Sequence, residues 1–168
     1  MYEIEIKSKI KSINEFEEKI KKLGAEFVNE VSQLDYYYQH PCKDFKKTDE
    51  ALRIRIMNDE CYITYKGPKI DSETKTREEI EVKVERNISD VLESLGFKLA
   101  GEVKKIRKVY RMKDIEISLD DVHNIGYFVE LETFGDYSAG KEKILNIARE
   151  LGLKDLERKS YFELLGDL

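Results

Sequence analysis

Histidine and cysteine are scarce in this chain, two of each among 168 residues. His40 and Cys42 lie two apart and His123 is the remaining histidine, so no zinc-ligand set can be assembled, and any metal is held by oxygen. Cys42 and Cys61 are too few for a disulfide framework and read as free thiols of a reducing compartment. Long apolar runs are missing, and so is the hydrophobic region of a secretory signal, which sets the expectation of a cytoplasmic protein with no membrane partner. There is no glycine-rich Walker pattern to cradle phosphates. A basic excess is also lacking: 39% of the residues are charged, yet the net charge is −5, which argues against a nucleic-acid partner.

What the chain does have is bulk and alternation. Ten tyrosines and seven phenylalanines supply a core, and 168 residues suffice for one domain without disulfides or a structural metal. In Glu3-Ile4-Glu5-Ile6-Lys7, a strand would put Glu3, Glu5 and Lys7 on one face and Tyr2, Ile4 and Ile6 on the other. Facing water, that charged side is an ordinary solvated surface. Facing a closed space, it is a hard-oxygen cation site with a lysine beside it for the cation's anion.

The same alternation recurs along the chain. Ser12-Ile13-Asn14-Glu15 is a capping box opening a helix that Gly24 stops. Extended runs are expected over 25–39, 51–57, 62–66, 75–85, 103–111, 115–120 and 127–132, with 40–50 as a loop. Ser89 is expected to cap a second short helix, and a third runs from about 139 to 151. The charged faces collect eight acids (Glu3, Glu5, Glu79, Glu81, Glu116, Asp120, Glu130, Glu132) and eight bases (Lys7, Arg53, Arg55, Lys66, Arg77, Lys83, Lys105, Arg107). An antiparallel sheet packed on helices would give the same pattern with the charges outward. Four of the eight bases are arginine, the residue suited to bidentate phosphate contact, and the acids fall in Glu-x-Glu pairs near both chain ends, which a closed barrel would bring together.

Taken in order, Glu3-Ile4-Glu5-Ile6-Lys7, Gln33-Leu34-Asp35-Tyr36-Tyr37, Ala51-Leu52-Arg53-Ile54-Arg55, Thr64-Tyr65-Lys66-Gly67-Pro68, Lys105-Ile106-Arg107, Leu119-Asp120-Asp121-Val122 and Gly126 to Glu132 resemble the signature of the CYTH superfamily, the triphosphate tunnel metalloenzymes. His40-Pro41-Cys42-Lys43-Asp44-Phe45 and the closing Lys159-Ser160-Tyr161 are most similar to its class IV adenylate cyclase branch. The resemblance covers nearly the whole chain and implies a single α+β domain over 1–168, an antiparallel eight-stranded closed β-barrel or tunnel with a charged lumen and helices packed outside. It implies that Lys7, Arg53, Arg55, Lys66, Lys105 and Arg107, with Arg77 and Lys83, bind the triphosphate, and that Glu3, Glu5, Glu130 and Glu132 hold Mg²⁺ or Mn²⁺. Glu5, Lys7 and Asp120 are the expected catalytic residues, Asp120 by orienting the nucleophile. Asp35 and Tyr37 also match family positions, with plain strand packing as the alternative. The implied activity is conversion of ATP to cyclic AMP and pyrophosphate; the alternatives are hydrolysis of inorganic, thiamine or nucleoside triphosphates, and a non-catalytic polyphosphate- or nucleotide-binding module. The expected partner is a triphosphate-bearing small molecule, with self-association into a homodimer compatible with exposed sheet or helix surfaces.

Overall fold

The computed structural model describes residues 2–166. Eight strands, β1 (Tyr2–Ile10), β2 (Glu26–Gln39), β3 (Ala51–Met57), β4 (Glu60–Lys66), β5 (Arg77–Val84), β6 (Lys98–Met112), β7 (Ile115–Val122) and β8 (Gly126–Phe134), close into a barrel in the order β1-β5-β4-β3-β2-β6-β7-β8. Neighbouring strands are antiparallel throughout. The helices are α1 (Ile13–Lys22), α2 (Phe45–Thr48), α3 (Ile88–Ser94), α4 (Tyr137–Glu150) and α5 (Tyr161–Gly166). Among the described residues no helix is long and apolar enough to cross a membrane.

Strand alternation decides what faces where. Glu3, Glu5 and Lys7 point into the barrel, while Ile4 and Ile6 point out and are buried under α1 and α4 with Ile117, Val129 and Leu131. Phe16 and Ile20 of α1 and Ile144 and Ala148 of α4 complete that cluster, each large aliphatic side chain contributing about 1.5–3 kcal/mol by burial. Ser12 caps α1 by accepting from the Glu15 amide at 3.3 Å, and Gly24 ends it in the left-handed region at φ 94°. Gly140 permits the close seating of α4, since a Cβ there would run into the Ile4 side chain. A second cluster packs Phe45 of α2 and Leu92 of α3 on Tyr38, Leu52, Ile54 and Cys61. Ile80 and Val82, on the outer face of β5, remain half exposed.

The barrel has one thin seam. β1 pairs with β8 from Glu3↔Phe134 to Ile10↔Tyr127 but meets β5 only at Tyr2↔Glu78 and Glu3↔Arg77. Loop 67–76 continues the closure, with the Lys75 amide donating to the Glu5 carbonyl at 2.8 Å.

Three local expectations are corrected. The segment expected as loop holds α2, because Asp44 accepts from the Lys46 and Lys47 amides and Asp49 takes the left-handed conformation at its end. Ser89 does not cap α3: Asn87 stands at that position without a side-chain cap bond, and the Ser89 hydroxyl donates to the Arg86 carbonyl at 3.2 Å. β6 begins at Lys98, five residues before the expected start; its first residues pair with the end of β2 across a register shift between Tyr37 and Tyr38, which breaks the alternation.

Candidate active site

All eight strands contribute to the lining of a cavity of about 870 Å³ inside the barrel. On one wall, β1 supplies Glu3 and Glu5 and β8 supplies Glu132, opposite Glu5 in register. One carboxylate oxygen from each lies within 4.8 Å of the others. Burial, reinforced by Glu3 and Glu5, pushes the Glu132 carboxyl well above its ordinary range; burial also raises Glu3. Three carboxylates crowded in this way lack enough positive charge, and an all-oxygen set of this kind suits Mg²⁺ or Mn²⁺.

Glu130, the fourth carboxylate expected with this group, turns elsewhere. It bonds Arg107 and lies 3.7 Å from the Lys7 ammonium. Burial alone would raise it, but Arg107, Lys105 and Lys7 outweigh burial and hold it well below the usual carboxylate range.

Ammonium groups already sit on two members of the trio. Lys66, from β4, donates to Glu3 at 2.9 and 3.0 Å and lies 2.7 Å from Glu79. Lys75, from loop 67–76, donates to Glu5 at 2.6 Å. Burial opposes the charge on both lysines, but these carboxylates more than offset it and raise both pKa values.

The opposite wall is basic and is held by two buried aspartates. Asp35 accepts two bonds of 2.7 Å from Arg55 and lies 3.9 Å from Arg53, whose guanidinium also reaches Thr64 and Glu81. Against burial, the two arginines keep Asp35 far below its usual range. Asp120 accepts from Arg107 at 2.7 and 2.6 Å and from the Tyr161 hydroxyl at 2.7 Å, with Lys105 at 3.8 Å. The Tyr161 ring, carried in by α5, lies under Lys7 and Lys105, whose nitrogens are 4.1 and 4.7 Å from its centroid. The Lys7 ammonium is buried without a hydrogen-bond partner. Burial, then Lys75, pulls Lys7 down to about 7, and burial, then Arg107, does the same to Lys105.

Of the expected residues, Glu3, Glu5, Lys7, Arg53, Arg55, Lys66, Arg77, Lys105, Arg107, Glu130 and Glu132 line the cavity. Arg77 donates to the Gly67 carbonyl at 3.3 Å. Asp120 lies beneath the lining, fully buried, as the anchor of Arg107. Lys83 is not with them: β5 has left the lumen by that point, and the exposed Lys83 side chain pairs with Glu60 beside the β3–β4 turn. Lys75 and Tyr161 were missed as site residues. Lys75 keeps the parity of Arg77 and Glu79 although it precedes the strand, and Tyr161 closes the Lys159-Ser160-Tyr161 motif, so each left a trace in the sequence.

Comparison with known proteins fits this architecture. The profile of the CYTH domain matches residues 1–161. The chain belongs to the CYTH family. Along 99% of both chains it is 45% identical to a Methanocaldococcus jannaschii protein provisionally named an adenylate cyclase. It is 25% identical to adenylate cyclase CyaB of Aeromonas hydrophila, over 95% of this chain and 86% of that one. These CYTH relatives put it in the class IV adenylate cyclase-like branch. Among solved structures, the PH1819 protein of Pyrococcus horikoshii superimposes with a TM-score of 0.89 at 44% identity, over 98% of each chain.

Proposed function

We propose that this CYTH protein is a metal-dependent enzyme that converts ATP to cyclic AMP and pyrophosphate. One observation carries the reading: three carboxylates, one oxygen of each within 4.8 Å of the others, share a cavity with Lys7, Lys105, Arg53, Arg55, Arg77 and Arg107. A pure anion binder has no use for such a trio, whereas a triphosphate enzyme needs both signs. Glu3, Glu5 and Glu132 are the residues to hold Mg²⁺ or Mn²⁺, which when bound supplies positive charge to phosphoryl oxygens.

The chain's own residues do the rest. Arg55 and Arg107, each gripped by an aspartate, present guanidinium groups whose positions are set before the ligand arrives, and Arg53, Lys7 and Lys105 add charge around them. In the cyclase reaction the ribose 3′-oxygen bonds to the α-phosphorus, its hydroxyl proton passes to water or to the departing pyrophosphate, the bond from that phosphorus to the bridging oxygen breaks, and pyrophosphate carries the electron pair away. The basic wall neutralises the departing charge. Asp120 has both oxygens engaged, so it acts as a positioning residue for Arg107 and Tyr161 rather than as a base. A cytoplasmic setting fits a nucleotide substrate and the two free thiols.

A second reading, hydrolysis of a triphosphate by water, is favoured by one feature. Tyr37 and Phe162, which border the cavity, are stacked on each other at 4.7 Å and 7°, leaving no gap between them for a purine. Product analysis separates the two. The purified protein is incubated with Mg²⁺ or Mn²⁺ and, in parallel, ATP, tripolyphosphate and thiamine triphosphate, and the products are resolved by chromatography. Cyclic AMP with equimolar pyrophosphate from ATP is expected. Orthophosphate with the matching diphosphate and no cyclic AMP would replace the cyclase with a triphosphatase.

A further inference from the structure

We propose that Lys66 and Lys75 are built-in counter-cations of the acidic trio, displaced from the carboxylates by a divalent metal and then taken up by the triphosphate, so that metal and triphosphate binding are coupled. This rests on the reading of the site as a metal-dependent triphosphate enzyme and names how its two ligands communicate.

The geometry points this way in three respects. First, the ammonium of Lys75 lies 2.6 Å from Glu5 and that of Lys66 lies 2.9 Å from Glu3, so both β1 carboxylates of the trio are already engaged by protein. A metal on the trio competes with these contacts directly. Second, the contacts are built to be exchanged. A lysine ammonium is a point charge on a flexible stem, without the fork that locks Arg55 to Asp35. The backbone carrying Lys75 is fixed independently: Asp71 accepts from the Glu73 and Thr74 amides at 2.7 Å each and from the Tyr137 hydroxyl of α4 at 2.8 Å. The loop therefore has its own anchors and does not depend on the Lys75–Glu5 contact to keep its place.

Third, the displaced groups have one place to go. Lys66 and Lys75 line the same cavity as Lys7, which has no hydrogen-bond partner. Metal binding alone leaves Lys75 without its carboxylate and Lys66 with Glu79 alone, beside the Lys7 ammonium, which is unfavourable. Triphosphate binding alone meets lysines tied to acids and the acids themselves. Each ligand removes the obstacle to the other, which is positive coupling.

Binding measurements without turnover test this. Mn²⁺ titrated into anion-free protein should bind the Lys75→Met variant roughly ten-fold more tightly than wild type, with a much smaller gain for Lys105→Met, which removes a lysine elsewhere in the lumen. Tripolyphosphate titrated in the presence of a chelator should bind Glu5→Gln several-fold more tightly than wild type, and more tightly than Glu116→Gln, because only the first frees Lys75. A folded Lys75→Met that binds Mn²⁺ no better than wild type would overturn the exchange, as would a Glu5→Gln that gains no affinity for tripolyphosphate. If Lys75→Met does not fold, the Glu5→Gln titration decides alone. Wild-type protein that binds tripolyphosphate neither with nor without Mn²⁺ would overturn the proposed function as well; binding by wild type with unaltered variants overturns only the exchange.

Discussion

Asp35 grips Arg55 through two bonds of 2.7 Å and Asp120 grips Arg107 through bonds of 2.7 and 2.6 Å, whereas Glu5 meets Lys75 through one bond of 2.6 Å and Glu3 shares Lys66 with Glu79. Both walls pair acids with bases but hold them differently. Forked arginine–aspartate pairs fix direction as well as distance, so the basic wall is a scaffold. Lysine–glutamate pairs fix only proximity, so the acidic wall is a set of contacts that a cation can replace. An enzyme for a highly charged substrate needs both, because donors must be in place beforehand while the carboxylates of the metal site need counter-cations when no metal is bound.

The contrast breaks first if the scaffold proves dispensable. Asp120→Ala leaves Arg107 and the Tyr161 hydroxyl buried without their shared acceptor, and Lys105 without its nearby carboxylate, and should cost about 3–5 kcal/mol in urea unfolding. A loss no larger than that of Glu5→Gln would erase the distinction between the walls. Glu5→Gln should instead leave the melting temperature within a few degrees of wild type while lowering turnover by at least roughly 10²-fold. Retained turnover would remove Glu5 from the metal site.

A smaller effect sharpens the account of the basic wall. Burial and Arg107 bring Lys105 to about 7 in the folded protein, against an ordinary value of 10.5. Below pH 7 both folded and unfolded chains protonate it, and the folded state carries the full cost of a buried charge. Between pH 7 and 10.5 only the unfolded chain keeps the proton, so this group's penalty lifts as pH rises, by on the order of 1 kcal/mol per pH unit. Lys105→Met should therefore be stabilised relative to wild type at pH 6 and much less at pH 9; urea unfolding giving the same difference at both would contradict the shift. The smallest effect is expected at Lys83. Its exposed pair with Glu60 lies outside the lumen, so Lys83→Ala should leave the KM for the triphosphate substrate unchanged within roughly two-fold. A large rise would return it to the site.

Much of this was legible in the sequence, and the misses have physical causes. Glu3-Ile4-Glu5-Ile6-Lys7 fixes one face by period two, and the recurrence of arginine on that face in later strands favours a charged interior. Period two says which side a residue points to, not how far along the strand the lumen extends. Lys83 shares the parity of Arg77 and Glu79, yet lies where β5 has emerged into solvent. Parity likewise put Glu130 with Glu132, but side-chain partners separate them: Arg107 draws Glu130 to the basic wall while Glu132 faces Glu5 across the β1–β8 pairing. Lys75 escaped because it reaches the lumen from a loop closing the β1–β5 seam, an arrangement set by tertiary register.

The division of Glu130 from the trio is the most direct place to test the account. Mn²⁺ binding should be measured for Glu132→Gln and Glu130→Gln in the same buffer. The account predicts that Glu132→Gln loses most Mn²⁺ affinity and that Glu130→Gln keeps it. Loss in Glu130→Gln with retention in Glu132→Gln would contradict the placement of the cation on Glu3, Glu5 and Glu132.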